Sequence, residues 1–154
     1  MSSPTGRPWT MAGVMSQFWP TDTTGCPCGR PLSLADCCGP VHADRVRPAT
    51  AEGLMRSRYS AFAVGDAAYL LRSWHPSTRP DVMRLDPAQH WERLEIIATT
   101  GGGLLDAEGT VEFRAHYRIG TRRAVLHERS RFVRYDGRWT YLDGLSPTPS
   151  TKGH

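Results

Sequence analysis

The sequence predicts an α+β protein: a short cysteine-rich module, then helices, then an antiparallel sheet. Three observations carry this. Four cysteines, Cys26, Cys28, Cys37 and Cys38, fall within thirteen consecutive residues. Apolar residues recur at helical spacing from Leu54 to Tyr69. From Val111 onward the apolar period drops to two, as in strands with one buried face.

The helices come first. Thr50 is placed to cap a helix start. Met55, Phe62 and Tyr69 are seven apart, as are Leu54, Ala61 and Ala68, giving one apolar stripe. Gly65-Asp66 interrupts it, the glycine ending one helix in a left-handed conformation and the aspartate capping the next. Two helices are therefore predicted, 50–64 and 67–74, the second stopped by His75-Pro76.

The strands follow. Trp91 to Thr99 supplies one, ended by Gly101-Gly102-Gly103. Val111, Phe113, Ala115, Tyr117 and Ile119 alternate with Glu112, Arg114, His116 and Arg118 to give the next. Gly120-Thr121 turns the chain into a strand from Arg123 to Arg134, and Asp136-Gly137 marks a tight hairpin into Trp139, Tyr141 and Asp143. Helices followed by such a meander imply a curved sheet with helices packed on one side. The organisation reads as a flexible leader (1–25), a cysteine module (26–40), a polar linker (41–48), a globular domain (50–145) and a flexible tail (146–154).

Bulk properties narrow the function classes. The chain has 154 residues, 39% hydrophobic and 22% charged, which suits one folded domain. Its formal charge is +4 and its pI near 9.1, yet lysine occurs only once, at Lys152. The basic excess is scattered arginine, read as solvated faces and ion pairs, so nucleic acid is a disfavoured partner. No apolar stretch reaches the roughly 20 residues a membrane helix needs. Met1 to Thr24 also lacks the charged start and apolar run of a secretory signal. A cytoplasmic location is expected, where disulfides are disfavoured.

The cysteine spacing is C-x-C-x8-C-C. Zinc takes four thiolates at tetrahedral corners, and two close pairs in a compact loop can supply them. Gly29 and Gly39 are expected to permit backbone reversals after each pair, and Pro27 stiffens the first. Two disulfides or four buried thiols are the competing readings. With all four positions taken by sulfur, the expected Zn²⁺ is structural rather than catalytic.

The segment CPCGRPLSLADCCG resembles the SEC-C motif, the small zinc module at the end of the SecA translocation motor and in many other bacterial proteins. All four ligand positions match. Arg30, Leu34, Ala35 and Asp36 depart from the usual lysine-rich pattern between the pairs. Further on, LMRSRYSAF (Leu54 to Phe62), WHP (Trp74 to Pro76), ERSRF (Glu128 to Phe132) and the W-x-Y-x-D-G of Trp139 to Gly144 resemble the YchJ family of bacterial proteins. That resemblance implies an SEC-C module followed by a domain similar to nuclear transport factor 2, a cone of curved sheet and helices. It supplies a fold and no activity.

On the strand from Ala124 to Arg134, a period of two puts Leu126, Glu128, Ser130 and Phe132 on one face. A buried Glu128 calls for a partner, and Arg56, Arg58, Arg129 and Arg131 are the candidates. His75 and His127 are expected near the same rim, with Tyr59, Trp74, Trp139 and Tyr141 as an amphipathic lining. Asp143 with Tyr141 and His75 offers an acid–base group. The constellation is either a small-molecule pocket at the mouth of the cone or an internal salt-bridge network fixing helix to sheet.

Two functions follow as expectations. The first is a zinc-stabilised adaptor for a protein or ribosomal partner, without catalysis. The second is a small-molecule-binding domain or enzyme using the cone pocket.

Overall fold

The computed structural model describes residues 25–145, so the expected tail and all but the last residue of the expected leader lie outside the described residues. A 3-10 turn, Leu34–Asp36, leads into α1 (Cys38–His42), α2 (Ala51–Val64) and α3 (Ala67–Arg72). Four strands follow: β1 (Gln89–Gly101), β2 (Glu108–Ile119), β3 (Arg122–Tyr135) and β4 (Arg138–Leu145). They form one antiparallel sheet in sequential order. The α+β prediction holds.

Local chemistry sets the helix ends. Thr50 Oγ1 accepts from the Gly53 amide at 3.0 Å, and Asp66 Oδ1 accepts from the Tyr69 amide at 3.0 Å. Gly65 ends α2 with φ of 83°, its amide returning to the Ala61 carbonyl. α3 stops two residues earlier than the sequence predicts. Ser73 Oγ donates back to the Tyr69 carbonyl at 2.8 Å, and Trp74 leaves the helix to bridge Tyr141 on β4. The strand claims residues that helical spacing had assigned to the helix.

The hairpin at Asp136-Gly137 has φ of 54° and 81°, both positive as a two-residue type I′ turn requires. β1 extends beyond the predicted strand at both ends and carries two register irregularities, between Trp91 and Arg93 and between Ile96 and Ala98. α2 lies across one face of the sheet. Leu54, Met55 and Tyr59 pack there with Leu94, Val111, Phe113, Ala115, Phe132 and Trp139. The Trp139 indole N–H donates to the Ala49 carbonyl at 3.1 Å, which fixes the entry to α2.

Residues 41–48 are not simply a linker. Val41 and His42 are helical, Val41 packs with Ala61, Tyr69 and Leu70, and a ring nitrogen of His42 donates to the Ser57 carbonyl at 2.8 Å. The opposite face of the sheet is polar. His116 meets Glu95 at 2.7 Å and His127 meets Glu112 at 2.8 Å.

Candidate metal centre and candidate ligand pocket

A tight turn brings the first cysteine pair together: the Cys26 amide donates to the Leu32 carbonyl at 2.6 Å, and the Gly29 amide to the Cys26 carbonyl at 3.0 Å. Gly29 has φ of 97°, the reversal the sequence predicts. Gly39 acts differently. It lies inside α1, where a Cβ would stand 2.7 Å from the Leu34 carbonyl oxygen, so glycine is needed for close approach rather than for reversal.

The four sulfurs all lie within 4.8 Å of one another. Cys28 and Cys37 are 3.6 Å apart, Cys37 and Cys38 3.9 Å. A Zn–S distance of about 2.3 Å gives tetrahedral edges of about 3.8 Å, so the quartet fits the ion. All four cysteines are free thiols in this arrangement, as a tetrathiolate site requires. Cys28 is lowered to about 5, chiefly by hydrogen bonding from Cys38. Cys38 is correspondingly pushed up, and Cys37 rises to about 11, chiefly through burial. A divalent ion would take the place of the thiol protons.

The module is anchored on α2. Arg56 Nη1 donates to the Cys28 carbonyl at 2.6 Å while its Nε pairs with Glu52 at 2.9 Å. The Ser60 hydroxyl lies 3.3 Å from the Cys26 sulfur.

Between α2 and the sheet lies a cavity of about 290 Å³. Arg58, Tyr59, Trp74, Glu128, Ser130 and Tyr141 stand on its wall. The other candidates lie elsewhere. Arg56 holds the cysteine module, and Trp139 is sealed in the core. Arg131 chelates Asp143 with bonds of 2.7 and 2.6 Å, which holds the Asp143 carboxyl below the usual range. His75 Nδ1 accepts from the Ser77 amide, and its ring meets Tyr135 edge to face at 5.0 Å. The expected Asp143–Tyr141–His75 group is therefore not assembled. His127 is on the far face of the sheet.

Glu128 overturns the salt-bridge expectation. Among the described residues its carboxyl has no hydrogen bond and no ion pair. Arg56 and Arg58, two apart on a helix, point away from each other, so Arg56 reaches Cys28, while Arg58 lines the cavity but gives Nη1 to Leu70 and Ser73. Arg129 and Arg131 are out of phase with Glu128 on the strand. Burial, then the negative charge of Asp143, raises the Glu128 carboxyl above its ordinary value. Its side chain lies across Gly144, filling the space a Cβ there would take.

Arg58 is only 4% exposed. Nη1 donates to the Leu70 carbonyl at 2.8 Å and to Ser73 Oγ at 2.6 Å, closing the end of α3. The guanidinium lies 5.1 Å from the Trp74 ring and 4.5 Å from Tyr141. Burial lowers it to about 10, so it stays cationic at neutral pH. Tyr59 and Tyr141 rise to about 12, again mainly by burial, and present neutral hydroxyls.

Sequence reasoning passed over Trp91 and Gln89 as cavity residues. Trp91 was read only as the start of a strand. Its rings lie 5.9 Å from Tyr59 and 5.8 Å from Phe62, a clustering that no single-strand pattern encodes.

Comparison with known proteins agrees with this architecture. A UPF0225 protein of Streptomyces coelicolor is 55% identical over 122 residues, covering 79% of this chain and 95% of that protein. One from Chromobacterium violaceum is 49% identical over 124 residues, covering 78% of this chain and 91% of the relative. The solution structure of an SEC-C motif containing protein from Rhodopseudomonas palustris superposes with a TM-score of 0.71 at 33% identity, covering 81% of this chain and all (100%) of that one. The crystal structure of an SEC-C motif containing protein from Psychrobacter arcticus gives 0.67 at 30% identity, covering 83% and 84%. Residues 50–144 match the family described as YchJ, middle NTF2-like domain, and with that domain behind its cysteine module the chain belongs to the YchJ-like, UPF0225 family.

Proposed function

We propose that this protein is a zinc-stabilised small-molecule-binding protein whose ligand site is the cavity under α2. One observation carries the reading. Glu128 brings a half-buried carboxyl to an otherwise largely aromatic cavity and has no partner for it among the described residues. Such a group costs stability unless something else satisfies it. A satisfied salt bridge in its place would have favoured a purely structural role.

Cys26, Cys28, Cys37 and Cys38 would hold the zinc, which supplies rigidity and no open coordination position. Free thiols suit the reducing cytoplasm, the compartment we assign. Among the described residues no helix is long and apolar enough to cross a membrane. Among the described residues, the adaptor role, with a protein or ribosomal partner, has no partnerless buried charge of this kind behind it. It ranks second.

Thermal denaturation of the zinc-loaded protein against a broad metabolite panel tests the proposal. A ligand of the native state stabilises it by mass action, by about 2.7 kcal/mol at a hundredfold excess over Kd, and so raises the midpoint. The expected hits shift the signals of Trp74 and Trp91. A panel without any such shift, beside a partner captured only when residues 26–38 are intact, would hand the case to the adaptor.

A further inference from the structure

The cavity contains two charged groups, and they are not equally available. Arg58 is 4% exposed, has Nη1 engaged by Leu70 and Ser73, and lies against the Trp74 and Tyr141 rings. Little of its charge is left for an incoming molecule. Glu128 is half-buried, reaches the cavity and has no partner among the described residues. The charge a ligand meets is the carboxyl.

The rest of the cavity is rich in ring surface. Tyr59, Phe62, Trp74, Trp91, Phe113 and Tyr141 all line the cavity. Ring faces attract cations through their quadrupoles, and more strongly where water is excluded. A carboxyl in a cavity so lined therefore complements an ammonium group, which can donate to the oxygen while its CH groups lie on the rings that Arg58 leaves free, Tyr59, Phe62, Trp91 and Phe113. A carboxylate ligand would have to reach the enclosed Arg58 and pass the like-charged Glu128.

We propose that the ligand is a small organic amine, bound as its cation, with the ammonium donating to the Glu128 carboxyl and an apolar body filling the aromatic part of the cavity. This rests on the small-molecule reading given above. The volume of about 290 Å³ is at the low end of ligand pockets, so the body is a compact ring or branched chain rather than a nucleotide. Gly144 belongs to the site although it offers no side chain, because its vacancy lets Glu128 lie across β4.

The test uses three probes of one shape: phenethylamine, phenethyl alcohol and hydrocinnamate. Binding to the full zinc-loaded chain is followed by tryptophan fluorescence and by NMR of the indole N–H groups. The amine is expected to bind at least about tenfold more tightly than the alcohol, the ratio a charge-assisted hydrogen bond contributes. In Glu128→Gln that advantage disappears while alcohol binding persists, which also reports that the variant is folded. Equal binding of amine and alcohol by the wild type overturns the proposal without any variant. Preference for hydrocinnamate overturns it too, but leaves a small-molecule site in place. If none of the three binds and a wider fragment library is silent as well, the cavity reading itself falls.

Discussion

The Glu128 carboxyl occupies the space that a Cβ on Gly144 would need, so one residue of β3 depends on the absence of a side chain on β4. The two strands pair with Ser130 opposite Gly144, which puts Glu128 on the same face and one step along. Gly144→Ala must therefore move the carboxyl or bend the strand. The clash is with the far end of a flexible side chain, so we expect a loss of only about 0.5–1.5 kcal/mol, the cost of a displaced rotamer. In a Glu128→Ala background the same change should be nearly free. Urea denaturation of the four proteins in that cycle measures the coupling, and simple additivity would show that the two residues do not compete.

Glu128 also sets a pH dependence. The groups facing it are Asp143 and Tyr141 from β4 and Arg58 from α2. Burial and Asp143 raise its pKa in the folded state, so the native chain binds this proton more tightly than the unfolded chain does. Its contribution to stability is then fully present below the ordinary carboxylate range and is lost as pH rises through the raised value. Glu128→Gln removes that loss. The variant should melt above the wild type at about pH 7, and the gap should close near about pH 4. A gap that stays constant over this interval contradicts the assignment.

Arg58 is expected to tolerate no substitute. Lysine keeps the charge but replaces the flat guanidinium, which lies on two rings while its Nη1 serves Leu70 and Ser73, with a compact and strongly hydrated ammonium. Arg58→Lys should cost about 1.5–3 kcal/mol, the worth of hydrogen bonds to a charged group. The unfolding midpoint in urea checks this. A change within about 0.5 kcal/mol would mean the guanidinium is replaceable.

The cysteine quartet gives a prediction independent of the pocket. Protein produced with ample metal should hold about one zinc per chain by elemental analysis. Cys28→Ser should lose the metal and fall in the severe class of destabilisation, above about 3 kcal/mol. Iron in place of zinc, or a fully stable metal-free protein, would refute it.

Much of this architecture was open to inspection of the sequence, and the exceptions share a cause. The Thr50 and Asp66 caps, the Gly65 terminus and the Asp136-Gly137 hairpin each depend on a few adjacent residues, and each appears where local chemistry places it. The core-facing set Leu126, Glu128, Ser130 and Phe132 follows from period alone. What failed was pairing. Glu128 was expected to meet an arginine, but the turn angle of α2 and the alternation of β3 aim those arginines at Cys28, Leu70 and Asp143 instead. Val41 and His42 looked like a spacer because their partners, Ala61, Tyr69, Leu70 and Ser57, lie fifteen or more residues away. Long-range contacts of this kind leave no periodic trace.

Helix α2 turns Arg56 and Ser60 toward the cysteines and Met55, Arg58, Tyr59 and Phe62 toward the cavity. Fourteen residues thus serve two clients back to back. If metal steadies this rod, an occupant of the cavity must by thermodynamic reciprocity tighten the hold on the ion by the same factor that the ion tightens the hold on the occupant. Equilibrium competition with a chelator, run with and without phenethylamine, would read that exchange in either direction.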